Sequence, residues 1–409
     1  MKSDLARLAA VAALAMLAGC GGGSSGTDTT AATAVPLGVP PPPPPPPTPD
    51  AQRVAVGEKL FHDPSLSASG RLSCASCHAP ARGHADPAGS FLPIGGIAMD
   101  QQGLRSSPTL RYLDMDTAFG FDANQQPHGG FFWDGRADSR AAQARGPLLG
   151  SAEMANADEA AVAAKVKAAP YYADLALAFA LPAQASTDQV FQATVQALAA
   201  YQQGDTEFHP FTSKFDAVQD GRATFTAQEA RGLQVFNDPR RGNCASCHST
   251  TPPPGSTRPL FTNFAYFALG VPRNHSTRTD SDPSFFDLGL CGPNRTDLVA
   301  TRPDLCGEFK VPTLRNVALT APYFHNARFN TLDEVVSFYA TRDTNPERWY
   351  PTVNGQVQRF DDLPQVYQRN VTMRPPFGRQ PGQTPALSPQ DVSDIVAFLN
   401  TLTDGWQAP

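Results

Sequence analysis

Apolar residues recur at helical spacing in six stretches of this chain, and long loops rich in Pro and Gly separate them. Residues 54–61 read as a short helix. Residues 158–179 form a helical region that Pro170 interrupts, because proline breaks the hydrogen-bond ladder. Residues 187–201 follow, with Val190, Phe191, Val195 and Leu198 on one face. Residues 226–236 open on Thr226 with Glu229 three positions on, the pattern of a capping box. Leu332, Val335, Val336 and Tyr339 share a helical face. Ser388 starts a last helix that carries Val392, Ile395, Val396 and Leu399. No strand pattern is strong, so the pattern predicts an all-α chain with long loops.

The first fifty residues differ in kind. Lys2 and Arg7 precede an apolar run over 8–17, which ends in Leu17-Ala18-Gly19-Cys20. This reads as a secretory signal, and the run is too short to span a bilayer. The ending resembles a bacterial lipoprotein box, which implies cleavage after residue 19 and lipidation of Cys20. Acyl chains there would anchor the protein to a bacterial membrane. Residues 21–50 begin Gly-Gly-Gly-Ser-Ser-Gly and end in the proline run 40–47. Such a segment is a disordered spacer, its polyproline part rising about 3.1 Å per residue. The expected organisation is thus a signal peptide over 1–19 and a linker over 20–50, with folded domains beyond. A length of 409 residues predicts two or three domains, and a net charge of −6 argues against nucleic acid as a partner.

The chemistry lies in a repeated pentapeptide. Cys74-Ala75-Ser76-Cys77-His78 recurs as Cys244-Ala245-Ser246-Cys247-His248. C-x-x-C-H is the attachment signal of c-type haem: both thiols bond the porphyrin, and the histidine reaches the iron. A redox dithiol or half of a zinc site is the bland alternative. It fails because both copies carry the histidine and lie too far apart to complete one zinc site. The prediction is two covalent c-type haems with His78 and His248 as proximal ligands. Each motif follows a predicted helix, so two cytochrome c-like domains are expected, over 51–205 and 206–409. The second closes with the helix after Ser388 packed across its first helix. Cys291 and Cys306 remain, and in an oxidising compartment such as the periplasm they predict a disulfide.

Several segments together resemble the bacterial di-haem cytochrome c peroxidase superfamily, and within it the MauG-like branch. They are Gly57-Glu58-Lys59-Leu60-Phe61, Leu72 to His78, Ser107-Pro108-Thr109-Leu110, Phe132-Trp133-Asp134-Gly135-Arg136-Ala137, Gly146-Pro147-Leu148, and the run from Val311 to His325. The resemblance covers about residues 54–402. It implies a peroxidatic first haem, an electron-transferring second haem, and hydrogen peroxide as substrate. Electrons would come from a small cytochrome c or cupredoxin. The family's acid–base glutamate falls twenty residues after Trp133, at Glu153, with Gln143 and Pro147 near the same distal pocket. Trp133 is implied as a relay between the haems, and Asp134 and Arg136 as structural or propionate-binding groups. A homodimer is the family's common state.

The chain also departs from the family pattern. The peroxidases' methionine ligand to the second haem would stand fourteen residues after His325, where this chain has Tyr339, as MauG does. Tyr339 is thus the expected sixth ligand, with Met373 in reserve. A phenolate favours ferric and higher states of iron, and a thioether raises the potential. The removable distal histidine of activation-dependent peroxidases would fall at Ile94. The nearby His84 is expected at the surface or on a propionate. A calcium ion between the haems would take the carbonyls of Thr320 and Pro322, with Ser106 in the place of the family's asparagine. Peroxide detoxification, MauG-like oxidation of a partner protein and non-catalytic electron transfer are the three functions to separate.

Overall fold

The computed structural model describes residues 49–87 and 92–408. The signal peptide, Cys20 and nearly all of the linker lie outside them. Among the described residues no helix is long and apolar enough to cross a membrane. Helix dominates: α1 (Pro49–His62), α2 (Cys74–Cys77), α3 (Arg140–Leu149), α4 (Glu159–Ala168), α5 (Tyr172–Ala178), α6 (Thr187–Gly204), α7 (Lys214–Gln219), α8 (Ala227–Asn237), α9 (Leu332–Thr341) and α10 (Pro389–Asn400). The strands are two-residue antiparallel pairs only. These are β1 (Ile94–Gly95) with β2 (Gln101–Gln102), β3 (Gly120–Phe121) with β4 (Pro127–His128), β5 (Tyr266–Phe267) with β6 (Phe309–Lys310), and β7 (Thr352–Val353) with β8 (Gln356–Val357).

Local sequence sets the helix starts. Capping boxes open α6 at Ser186, α7 at Ser213, α8 at Thr226, α9 at Thr331 and α10 at Ser388. Each satisfies helix-end N–H groups that would otherwise lack partners. α3 is not foreshadowed by the apolar pattern, because Pro147 sits inside it near its C-terminal end.

Two apolar cores result. In the first, α1 crosses α6, burying Val56, Leu60 and Phe61 against Val190, Phe191 and Leu198. In the second, α8 crosses α10, burying Val235 and Phe236 against Ile395, Phe398 and Leu399. Each crossing turns on a glycine. A methyl on Gly57 would overlap the Ala197 carbonyl, and one on Gly232 would overlap that of Asp394. Four residues after each glycine stands a buried phenylalanine, Phe61 or Phe236, so the two halves carry one G-x-x-x-F device. A third cluster, around Phe329, Phe338, Trp349 and Phe360, packs beside α9.

These glycines give a prediction whose sign is informative. Helix propensity alone would make Gly57→Ala and Gly232→Ala stabilising by about 1 kcal/mol. The overlap at the crossing should reverse this, destabilising each variant by about 1–3 kcal/mol. Thermal unfolding of the haem-loaded protein decides it: both midpoints fall, and a rise would mean that the helices can separate at little cost.

Candidate haem sites and the space between them

The two proximal histidines are held alike. His78 Nδ1 lies 3.1 Å from the carbonyl oxygen of His84, and His248 Nδ1 lies 3.0 Å from that of Phe261. A second carbonyl also faces each ring, Pro108 for His78 and Pro312 for His248. With Nδ1–H donated to the backbone, Nε2 is left to bind a metal, the usual arrangement behind a histidine ligand. Burial keeps both imidazoles neutral: it holds His78 below its ordinary value and brings His248 down to about 4.

The carbonyl acceptors are built the same way in both halves. His84 and Phe261 both adopt left-handed backbone conformations, with φ of 56° and 53°. This is an unusual choice for bulky residues. The preceding carbonyl is pinned by a threonine: Thr109 Oγ1 donates to Gly83 O at 2.5 Å, and Thr313 Oγ1 donates to Leu260 O at 2.6 Å. The threonines belong to matching tetrapeptides, Pro108-Thr109-Leu110-Arg111 and Pro312-Thr313-Leu314-Arg315. Phe61 then packs edge-on against His84 at 6.0 Å, as Phe236 packs on Phe261 at 6.4 Å.

This arrangement corrects the expectation for His84. The residue is neither at the surface nor placed to swing over an iron. It is fully buried on the proximal side of His78, with its ring 4.3 Å from that of Phe208. Arg111 Nε donates to its Nδ1 at 3.1 Å. It fills the core position that Phe261 fills in the other half, which the linear sequence does not reveal.

The cysteines suit haem attachment and not dithiol redox chemistry. Burial pushes Cys74, Cys77 and Cys244 up to about 12 and also raises Cys247. Redox-active C-x-x-C pairs show the opposite shift. Beside His248 a cavity with mostly apolar walls takes in Cys244, Cys247, Phe236, Leu399 and Tyr339. The residues at the second motif therefore fit covalently bound haem, and the first motif repeats the same buried cysteine and histidine setting.

On the first side, α3 ends in a turn that carries Glu153. Glu153 N–H donates to Gly150 O, and Gly96 N–H donates to Glu153 O, both at 2.9 Å. Glu153 is exposed at its turn, and its side chain lies close enough to Cys74 and Cys77 to raise their pKa values. The protein packed around it lifts its carboxyl above the ordinary range, and the nearby Arg136 guanidinium pulls it part of the way back. Gln143 and Pro147, one helical turn apart on α3, share a face. Ile94 stands in β1, in the hairpin docked on the Glu153 turn.

Trp133 stands between the sites. Its Nε1–H donates to Ser106 O at 2.9 Å, two residues from the Pro108 carbonyl that faces His78. Its ring lines the His248 cavity. Asp134 is fully buried and accepts from Arg105 at 2.7 Å and Arg136 at 2.8 Å, and Arg105 also grips Asp287 with two bonds of 2.7 Å. Tyr339 stacks on Phe377 at 5.2 Å, and burial raises its phenol far above its ordinary value. Met373 is 50% exposed, its sulfur 3.4 Å from an Arg342 nitrogen, and it is not among the cavity-lining residues. His325 is buried and stacks on Phe309 at 3.6 Å. Cys291 and Cys306 are disulfide-bonded.

Known proteins match this architecture. The family described as di-haem cytochrome c peroxidase matches residues 51–224. The chain is 38% identical over 370 residues to the methylamine utilization protein MauG of Paracoccus denitrificans, covering 87% of this chain and 89% of that protein. It is 30% identical over 356 residues to the cytochrome c551 peroxidase of Pseudomonas aeruginosa, covering 86% and 79%. The chain belongs to the di-haem cytochrome c peroxidase family. Among solved structures it resembles the diheme peroxidase BthA of Burkholderia thailandensis, with a TM-score of 0.79 and 39% identity over 88% of this chain and 89% of that one. Membership in this oxidoreductase family implies two c-type haems.

The residues around the calcium position that the family implies make other bonds in this structure. The expected calcium position has the Ser106 hydroxyl donating to Phe324 O at 2.7 Å and the Arg82 guanidinium donating to Ala321 O at 3.0 Å, between Thr320 and Pro322. A guanidinium on that carbonyl already supplies positive charge, and a hydroxyl committed as donor is a poor cation ligand. Sequence reading also missed Thr109 and Thr313, although the repeated Pro-Thr-Leu-Arg could have exposed them. Both are buried. Thr313→Val should leave the Leu260 carbonyl short of its donor and destabilise the haem-loaded protein by about 1–3 kcal/mol. Denaturant unfolding followed at the haem absorption band checks this, and an unchanged midpoint would show that the threonine is dispensable.

Proposed function

We propose that this chain is a periplasmic peroxidase, reducing hydrogen peroxide to two waters with two electrons from a small cytochrome c or cupredoxin. The observation that carries the reading is Glu153, a carboxyl that the protein packed around it holds above the ordinary range and that lies close to Cys74 and Cys77. When bound, the haem at His78 supplies the iron at which peroxide is reduced. Glu153, as carboxylate, takes a proton from one peroxide oxygen and delivers it to the other, so that water leaves. Gln143 and Pro147 share one face of α3, the helix that runs into the Glu153 turn, and flank the substrate in this reading. Trp133, anchored at Ser106 and lining the His248 cavity, passes charge between the sites. Tyr339, in the wall of that cavity, is the sixth ligand of the second haem in this reading, and the exposed Met373 is not. The Cys291–Cys306 bond agrees with an oxidising compartment.

A second reading, oxidation of residues of a partner protein, draws support from Tyr339 and from the relative named as a methylamine utilization protein. Mixing the ferric protein with one equivalent of peroxide and excess reduced donor cytochrome separates the two. Two donors oxidised per peroxide mark a peroxidase. Slow donor oxidation beside a long-lived oxidised protein favours the partner reaction.

Glu153→Gln should lower kcat/KM for peroxide by about 10²–10⁴-fold with both haems retained. An unchanged rate would remove Glu153 from the mechanism. The working form is the carboxylate, and its pKa is raised. The rate should therefore fall on the acid side, at a pH above the ordinary carboxylate range. Arg136 lowers that pKa, so Arg136→Gln should move the acid limb to higher pH, and Glu153→Gln should abolish it. A limb that stays in place in both variants would assign it to another group.

A further inference from the structure

The segment 131–136, which carries Trp133, is gripped from several sides. Lys310 N–H donates to Trp133 O at 2.9 Å, and Arg105 and Arg136 share the Asp134 carboxylate. One further grip comes from a remote part of the chain. Arg295 Nη1 donates to Asp134 O at 3.1 Å and to Gly135 O at 3.2 Å, the two carbonyls that follow Trp133. Arg295 sits in the loop that the Cys291–Cys306 disulfide closes.

The guanidinium is held for this task. Asp297 accepts from its Nε and Nη2 at 2.9 and 3.0 Å, and its plane rests 3.7 Å from the Phe119 ring. Its side chain is only 10% exposed. The loop is seated by Leu298 and Leu305, which pack with Leu290 and Tyr266. Tyr266 in turn donates its hydroxyl to Gly129 O at 2.6 Å, just before the same segment. A free loop of this length would have many conformations, and most would carry Arg295 away from Asp134. The disulfide removes most of that freedom.

We propose that Arg295 is a positioning residue for Trp133, and that the disulfide-closed loop 291–306 is the strut that carries it. The strut acts on the backbone carbonyls beside Trp133 and touches no reacting atom. Its value to the reaction rests on the reading of Trp133 as the link between the haem sites.

The test compares the haem-loaded protein with Arg295→Ala, Arg295→Lys, Asp297→Asn, the double variant Cys291→Ser/Cys306→Ser, and Trp133→Phe. Two readouts are taken: amide hydrogen exchange of residues 131–137, and the rate at which the second haem's absorption responds to peroxide. Arg295→Ala should raise exchange in 131–137 by about tenfold or more and slow the spectral response by a similar factor. Arg295→Lys should recover part of both effects. Asp297→Asn and the double Ser variant should fall between wild type and Arg295→Ala. Unchanged exchange in Arg295→Ala overturns the strut. So does a normal spectral response in Arg295→Ala when Trp133→Phe is slow, because the loop would then matter to stability alone. If Trp133→Phe itself responds normally, the reading of Trp133 fails, and hydrogen exchange alone judges the strut.

Discussion

Both haem sites depend on one hydrogen bond, from an imidazole Nδ1–H to a carbonyl that a left-handed residue presents. The bond fixes the ring and leaves Nε2 to the metal, while burial keeps the histidine neutral. It needs a carbonyl aimed away from regular structure, and the backbone strain at His84 and Phe261 meets that need, at a cost of about 1–3 kcal/mol each. The surrounding parts hold the strain in place. The threonine ties the preceding carbonyl, the phenylalanine of the first helix presses on the strained residue, and the glycine four positions earlier lets the helices cross closely enough for that pressure.

The two halves share this proximal frame and differ on the opposite side. In the first, α3 runs into a turn that offers a carboxyl, Glu153, to an open space. In the second, α9 brings Tyr339 to the wall of a mostly apolar cavity. One frame thus carries two different faces, and only the residues brought in from outside the frame decide what each face does.

What could be read in the sequence follows from where the information lies. The C-x-x-C-H motifs, the capping boxes and the helical apolar faces are local, and α6, α8 and α10 stand within a few residues of their expected limits. The proximity of Glu153 to the first motif was implied by the family resemblance alone, because the two lie far apart along the chain. Non-local relations were not legible. That His84 occupies the place of Phe261 is a fact about a packed core, and a histidine near a haem motif suggests the surface or a propionate until the core is seen. The contact of Arg82 with the Ala321 carbonyl joins positions 239 residues apart. The Pro-Thr-Leu-Arg and G-x-x-x-F repeats were visible but mute, because their meaning lies in the atoms they touch.

The shared use of residues 106–108 has a mechanical consequence. The Trp133 indole hangs from the Ser106 carbonyl, and the His78 ring faces the Pro108 carbonyl. A thermal displacement of that short segment carries both rings in the same direction. Tunnelling rates depend steeply on separation, so in the relay reading proposed for Trp133 two rings that drift together are shielded from the jitter of the chain around them. The peptide between them behaves as a common mount, and what it filters out is noise.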